Sequence, residues 1–333
     1  MKVGEKSLRG RFAVLVAVLL LAAFGSVLLG RYALTPKELV RALFGGADTS
    51  AKKVLLEIRL PRIAAALLVG AALSAAGVCY QGMFRNPMVS PDILGASTGA
   101  GFGAALAILL GAGYFGISAM AFVFGLLAVL LAYLISRFGK TNETVAMILS
   151  GMVVSSLFSA GTSFLKLAAD TQQQLPAITY WLMGSLSSVK QRDLLFLSIP
   201  FVLGFVPLVL LRWRVNLLTV GEEEAQAMGV NTTLLRLVVV LCATLLTAST
   251  VAVAGMVGWI GLVIPHFCRM LFGCDYRRLL PATALFGATF LLITDDIARL
   301  ATTSEIPIGI LTAVVGAPVF LYLIFTGGAR HAD

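Results

Sequence analysis

Asp295 and Asp296 stand side by side in a stretch that is otherwise apolar, and Arg299 follows one helical turn later. Acids inside a membrane span are costly and commonly mark ion or proton pathways. Proton-coupled transport is one chemistry they could do. The alternative is an Asp–Arg pair at (i, i+4) or (i, i+3) spacing, holding the end of a helix. The pair lies where the apolar stretch ends, which favours the second reading. His266 and Cys268 in Pro265-His266-Phe267-Cys268-Arg269 could begin a metal site, but two ligands without further acids or thiols nearby do not complete one. Gly139-Lys140-Thr141 ends like a phosphate loop, yet the glycine required five positions earlier is Leu134. No nucleophile–base pair and no carboxylate pair suggests catalysis. Any nucleotide would be bound by another subunit.

The elements that must hold these residues are membrane spans. The chain has 333 residues, 59% of them hydrophobic and only 12% charged. A soluble domain carries about 25% charged residues. Apolar runs of about 20 residues suit helices rather than barrel strands. The expected fold is therefore all-α and polytopic, one membrane domain over 1–333 with about ten spans. These are 12–30, 61–82, 93–111, 114–136, 143–166, 192–211, 233–254, 257–272, 280–298 and 307–326. The eighth is short and broken by glycine. The basic N-terminus precedes an apolar run that could be a signal peptide; its length favours an uncleaved first span. Both termini are then expected in the cytoplasm.

The net charge of +9 is set by loops between spans, so orientation, headgroups and docking explain it better than nucleic acid. Positive charge favours the inside only weakly. The excess outside gathers in the first loop, at Arg31, Lys37, Arg41, Lys52, Lys53, Arg59 and Arg62. Such a cluster fits an acidic partner. The four cysteines show no C-x-x-C spacing and read as small apolar residues.

Two segments outside the spans look structured. Residues 168–190 hold Tyr180 and Trp181, which suit an outer interfacial helix. Residues 215–231 hold Gly221-Glu222-Glu223-Glu224-Ala225-Gln226-Ala227-Met228-Gly229, a short amphipathic helix between glycines on the inner side. Within the fifth span Gly151, Ser155, Ser159 and Ser163 recur every four residues. That stripe is either one wall of a passage or a surface for close helix packing.

Several segments together resemble the membrane subunits of type II ABC importers, the FecCD-type permeases for iron–siderophores, haem and vitamin B12. They are Arg59-Leu60-Pro61-Arg62; Gln81-Gly82 with Arg85-Asn86-Pro87 and Ser90-Pro91-Asp92-Ile93-Leu94-Gly95; Trp181-Leu182-Met183-Gly184-Ser185; Gly221-Glu222 with Ala225 and Gly229; Gly261-Leu262-Val263-Ile264-Pro265-His266 with Arg269; Asp296 with Arg299; Glu305-Ile306-Pro307-Ile308-Gly309; and Gly316-Ala317-Pro318-Val319-Phe320. The sequence departs from the usual pattern at Met88-Val89, Met256, Trp259 and Ile306. The resemblance implies a dimer of ten-helix subunits in the cell membrane, most simply a homodimer. It implies two copies of a separate ATPase that holds ATP and Mg, and a soluble or lipid-anchored binding protein outside. No cofactor of its own is implied. By motif position, Arg59, Arg62 and Arg299 would meet acids on the binding protein. Gly221 to Gly229, with Glu222, Glu223, Glu224 and Ala225, would sit on the ATPase. The fifth span would line the passage. The implied cargo is an iron chelate, with cobalamin as the alternative, and a secondary transporter using Asp295 and Asp296 stands behind both.

Overall fold

The computed structural model describes residues 5–30, 41, 49–139 and 143–327. Arg31 and Lys37 of the first loop, and Lys140 and Thr141 of the lysine-containing turn, lie outside the described residues. The helices are α1 (Glu5–Leu28), α2 (Leu60–Met83), α3 (Ala96–Leu109), α4 (Tyr114–Phe138), α5 (Glu143–Ala168), α6 (Gln174–Met183), α7 (Gln191–Val220), α8 (Glu222–Ala227), α9 (Thr232–Ala254), α10 (Ile260–Phe272), α11 (Tyr276–Leu300) and α12 (Ile308–Gly327). A turn at Thr49–Lys53 and a π-helical stretch at Val54–Arg59 run without a break into α2. Among the described residues seven helices are long and apolar enough to cross a bilayer, and α3, α10 and α12 are shorter apolar helices. Together they answer to the ten expected spans, and the eighth is indeed a short helix behind the irregular stretch Gly255–Trp259.

The hub is α2, which packs against α11, α9, α7 and α10. Its centre is a run of small residues, and two glycines set how closely its neighbours come. A Cβ on Gly70 would lie 2.2 Å from the Gly287 carbonyl oxygen of α11, and one on Gly77 would lie 1.9 Å from the Gly261 carbonyl oxygen of α10. In a bilayer, where lipid is as apolar as leucine, such backbone approach is a main source of helix association. Pro61 is the second residue of α2, at the junction with the π-helical stretch, where the missing N–H interrupts regular helical bonding. Asn231 caps α9 by accepting from Leu234 N at 2.9 Å, and Asp275 caps α11 by accepting from Arg277 N at 3.0 Å.

Large apolar side chains such as Leu21, Phe24, Leu157, Phe164, Leu210 and Phe325 remain exposed on α1, α5, α7 and α12. For a chain solvated by lipid or by a second subunit, those faces are covered by what surrounds it. Three of the cysteines are buried among apolar neighbours, as expected, while Cys274 is exposed in the turn between α10 and α11.

Candidate functional site

At one end of the bundle α1, α2, α11 and the segment before α12 bring together three arginines and three acids. Arg62 forks onto Asp295, with Nε donating to Oδ2 at 2.8 Å and Nη2 to Oδ1 at 2.9 Å, while Nη1 donates to Glu305 Oε1 at 2.9 Å. Arg299 donates to the Ser26 carbonyl and hydroxyl, each at 2.8 Å, and to Asp296; Ser26 Oγ in turn donates to Asp296 at 2.7 Å. Arg59 donates to the Val27 and Leu28 carbonyls at the end of α1. The π-helical stretch ahead of α2 places Arg59 one turn before Arg62 on this side.

The sequence suggests arginines presented outward. The structure instead buries Arg59, Arg62 and Arg299 to 3%, 6% and 6% exposure and engages each within the subunit. An isolated guanidinium there would be costly, so Asp295 and Glu305 permit the burial of Arg62 and Asp296 that of Arg299. The (i, i+3) pair Asp296–Arg299 forms as the spacing suggests. Asp295 does not turn to Arg299; its partner is Arg62, 233 residues away in sequence. Both aspartates are thus committed to arginines at a helix end, which leaves neither as an open proton carrier.

At the opposite end of α2, Gln81 Nε2 donates to the Val89 carbonyl at 3.1 Å and lies 3.4 Å from the carbonyls of Gly261 and Leu262. Arg269 donates to Gln81 Oε1, and Tyr276 OH donates to the Val78 carbonyl at 2.8 Å. The Gln81-Gly82 motif, the turn at 84–95 and the Gly261 to Arg269 motif are therefore parts of one polar knot. Gly82 is required there because a Cβ would meet the Tyr276 hydroxyl at 2.4 Å. His266 and Cys268 have no third ligand: among the described residues no three His, Cys, Asp or Glu side chains are placed so that they could hold a metal ion.

The expected inner segment 215–231 begins later than its sequence suggests, because α7 continues to Val220. The helix α8 then spans Glu222–Ala227, with Gly221 extended before it and Gly229 at φ +79° after it. Ala225 is 1% exposed and seats α8 against the body, whereas Glu223 and Glu224 are exposed and Met228 is 63% exposed. Glu222 faces inward, where Arg236 Nη2 donates to its Oε2 at 2.8 Å and Thr232 Oγ1 lies 3.3 Å from its Oε1. The other guanidinium nitrogen of Arg236 donates to Glu143 Oε2 at 2.9 Å. Sequence reasoning missed this bridge. No local spacing connects residues 93 apart.

The small stripe of α5 divides. A Cβ on Gly151 would lie 2.2 Å from the Ile93 carbonyl oxygen, and Ser155 Oγ packs against Gly95, itself at φ +85°. Those two serve packing of the turn between α2 and α3. Ser159 and Ser163 are exposed, next to Ser156 and Ala160. The predicted interfacial segment holds α6, with Ile178 buried and Tyr180 exposed. Its motif Trp181-Leu182-Met183-Gly184-Ser185 meets the end of α9 and the Glu305 to Gly309 motif: Ser185 N donates to the Ala254 carbonyl at 2.8 Å and Ile308 N donates to the Gly184 carbonyl at 2.9 Å.

Residues 17–326 match the FecCD transport family. The molybdate import system permease protein MolB of Haemophilus influenzae is 42% identical over 316 residues, covering 93% of this chain and 94% of that one. A permease of Helicobacter pylori, described as belonging to an iron chelatin transport system, is 44% identical over 272 residues and 82% of each chain. Among solved structures, a metal-chelate type ABC transporter described in an inward-facing conformation superposes with a TM-score of 0.87 at 41% identity, covering 97% of this chain and all of that one. With ten apolar helices and family motifs from end to end, this multi-pass membrane protein belongs to the FecCD transport family, as the permease of a type II ABC importer, a transport component and not a catalyst.

Proposed function

We propose that the chain carries an iron chelate, a ferric siderophore or haem, into the cytoplasm, as one of two copies of the same permease above two ATPase subunits. The observation that carries this reading is the division of the molecule into two charged ends separated by an uncharged middle. Exposed Glu223, Glu224 and Met228 on α8 suit a seat on the ATPase, which binds the ATP and Mg. The arginine cluster lies at the opposite end, next to the outer loops, where a binding protein would dock. Between them the exposed part of α5 offers Ser159 and Ser163, with no charge before Lys166 in its last turn. A bulky chelate needs a wide and inert passage rather than a tight site.

In this reading docking at Arg59, Arg62 and Arg299 is a competition. Acids on the binding protein would have to share or displace carboxylates already in place. Glu305, whose side chain is 22% exposed, is the one within reach.

The similarity to MolB favours a second cargo, molybdate, because it extends over nearly the whole of both chains. Cobalamin remains the third. Affinity purification from native membranes, with identification of what copurifies, tests the assembly. An ATPase at about one copy per permease is the expected result, and a lone permease that transports without nucleotide would refute it. The copurifying binding protein is then titrated with ferric siderophores, haem, cobalamin and molybdate. Tight binding of molybdate alone would replace the iron-chelate cargo.

A further inference from the structure

We propose that Arg236 is the tie that carries movement of α8 to α5. This rests on the reading of α8 as the ATPase seat and adds the link by which that seat reaches the passage. Arg236 lies one turn into α9 and is 8% exposed. Its two terminal nitrogens reach different elements: Nη1 holds Glu143, the first residue of α5, and Nη2 holds Glu222, the first residue of α8. The planar fork fixes both directions at once, which a point charge does not.

The packing makes this link matter. Among the described residues α5 packs on α3 and α4, while α8 packs on α7 and α9. No extensive contact joins α5 to α8 directly. The α8 helix has six residues and is bounded by Gly221 and Gly229, so it can shift as a unit about its ends. Thr232, 1% exposed, and Gln226, which donates to Thr232 Oγ1 at 3.1 Å, hold Glu222 to the start of α9. Glu143 sits where the α5 helix dipole favours an acid, so its carboxylate is held both by its own helix and by Arg236. A displacement of α8 thus pulls on the inner end of the helix whose outer half bears Ser159 and Ser163. Arg236 acts through its two partners and is a positioning residue.

The test is a distance measurement on the permease purified with its ATPase in lipid nanodiscs. Spin labels are placed at Ser163→Cys on α5 and Ser304→Cys beside α11, in a Cys274→Ser background, since the remaining cysteines are buried. Distances are compared without nucleotide and with ATP plus vanadate. In the parent protein the distance distribution shifts on trapping. In Arg236→Gln the shift is expected to shrink at least about threefold, with Arg236→Lys keeping part of it. A shift of parental size in Arg236→Gln overturns the proposal. Should that variant fail to assemble, Glu143→Gln, which leaves the α8 surface untouched, gives the same reading, and a full shift there overturns the tie equally. A parent that assembles with an ATPase but never shifts removes the coupling role of α8 and the tie together. A parent that shifts normally alongside a normal Arg236→Gln removes the tie alone.

Discussion

Replacing Arg62 by alanine should damage the subunit before it touches any partner. The side chain makes three hydrogen bonds to two carboxylates, and it is 6% exposed while Asp295 is 1% exposed. Removing the arginine strands Asp295 without its hydrogen-bonded counter-charge where water hardly reaches. Breaking a buried pair from one side typically costs about 3–5 kcal/mol, whereas replacing both partners by well-packed apolar residues is often neutral. At about 2–4 °C per kcal/mol for domains of 150–250 residues, and less for longer chains, the melting temperature falls by the order of ten degrees. Thermal unfolding of the detergent-solubilised protein, followed by intrinsic fluorescence, reads this directly. Arg62→Leu combined with Asp295→Leu should recover most of the loss. If Arg62→Ala lowered stability by less than about 1 kcal/mol, the value of an exposed pair, the guanidinium would be accessible and the burial argument would fail. Charge reversal at Arg62 is for the same reason a poor probe of docking, because the new acid would face Asp295 and Glu305.

Gly77→Ala should abolish folded protein in the membrane, judged by yield and gel-filtration profile, because the new methyl group would overlap the Gly261 carbonyl. Gly25→Ala, with open space around it, should behave as the parent. Ser159→Phe and Ser163→Phe should reduce uptake in cells at normal expression, while Ser155→Phe should lower expression itself; unimpaired uptake in the first two would move the passage off α5. Lysines at Glu223 and Glu224 should weaken copurification of the ATPase, and unchanged recovery would leave those acids as a solvated face. Partial burial acts to raise the Asp275 carboxyl, but hydrogen bonds from Arg277 N and Asn216 and the charges of Arg277 and Arg278 outweigh it and hold it below the usual range. Its contribution is therefore complete above the unfolded value of about 3.9 and is lost as pH falls through the lower folded one. Asp275→Ala should cost about 1 kcal/mol near neutral pH and less once the pH lies below that folded value; a loss of equal size at both would refute the charge contribution to the cap.

The helices were legible because span length and apolar runs are local. The expected 61–82 became Leu60–Met83 and 114–136 became Tyr114–Phe138. The α8 helix was legible from its bounding glycines. The burial of the arginines was not, because it depends on Asp295 and Glu305, which lie 233 and 243 residues from Arg62. The spacing of Asp295 and Asp296 relative to Arg299 allowed a pair at (i, i+4) or at (i, i+3), and the second is the one that forms. In the same way the four-residue stripe on α5 is one feature in sequence and two in space. The turn at 93–95 covers its inner half, and nothing in the period of the stripe announces that turn.

The two ends of the molecule share a construction. At one end Arg62 of α2 holds Asp295 of α11 and Glu305 ahead of α12; at the other Arg236 of α9 holds Glu143 of α5 and Glu222 of α8. In each case one guanidinium joins two carboxylates from separate elements. Of the two acids, one is the more exposed at each end: Glu305 at 22% against Asp295 at 1%, and Glu143 at 53% against Glu222 at 35%. A buried fork is weak evidence for stability as such, since apolar side chains would do as well. What it supplies is direction, because the planar group cannot serve both acids unless all three elements keep their places. In a bundle whose helices otherwise meet through small apolar side chains, which slide without large penalty, the forks are the points where movement of one element must be felt by two others. Under the docking proposed above, that is the property an importer needs at these two ends.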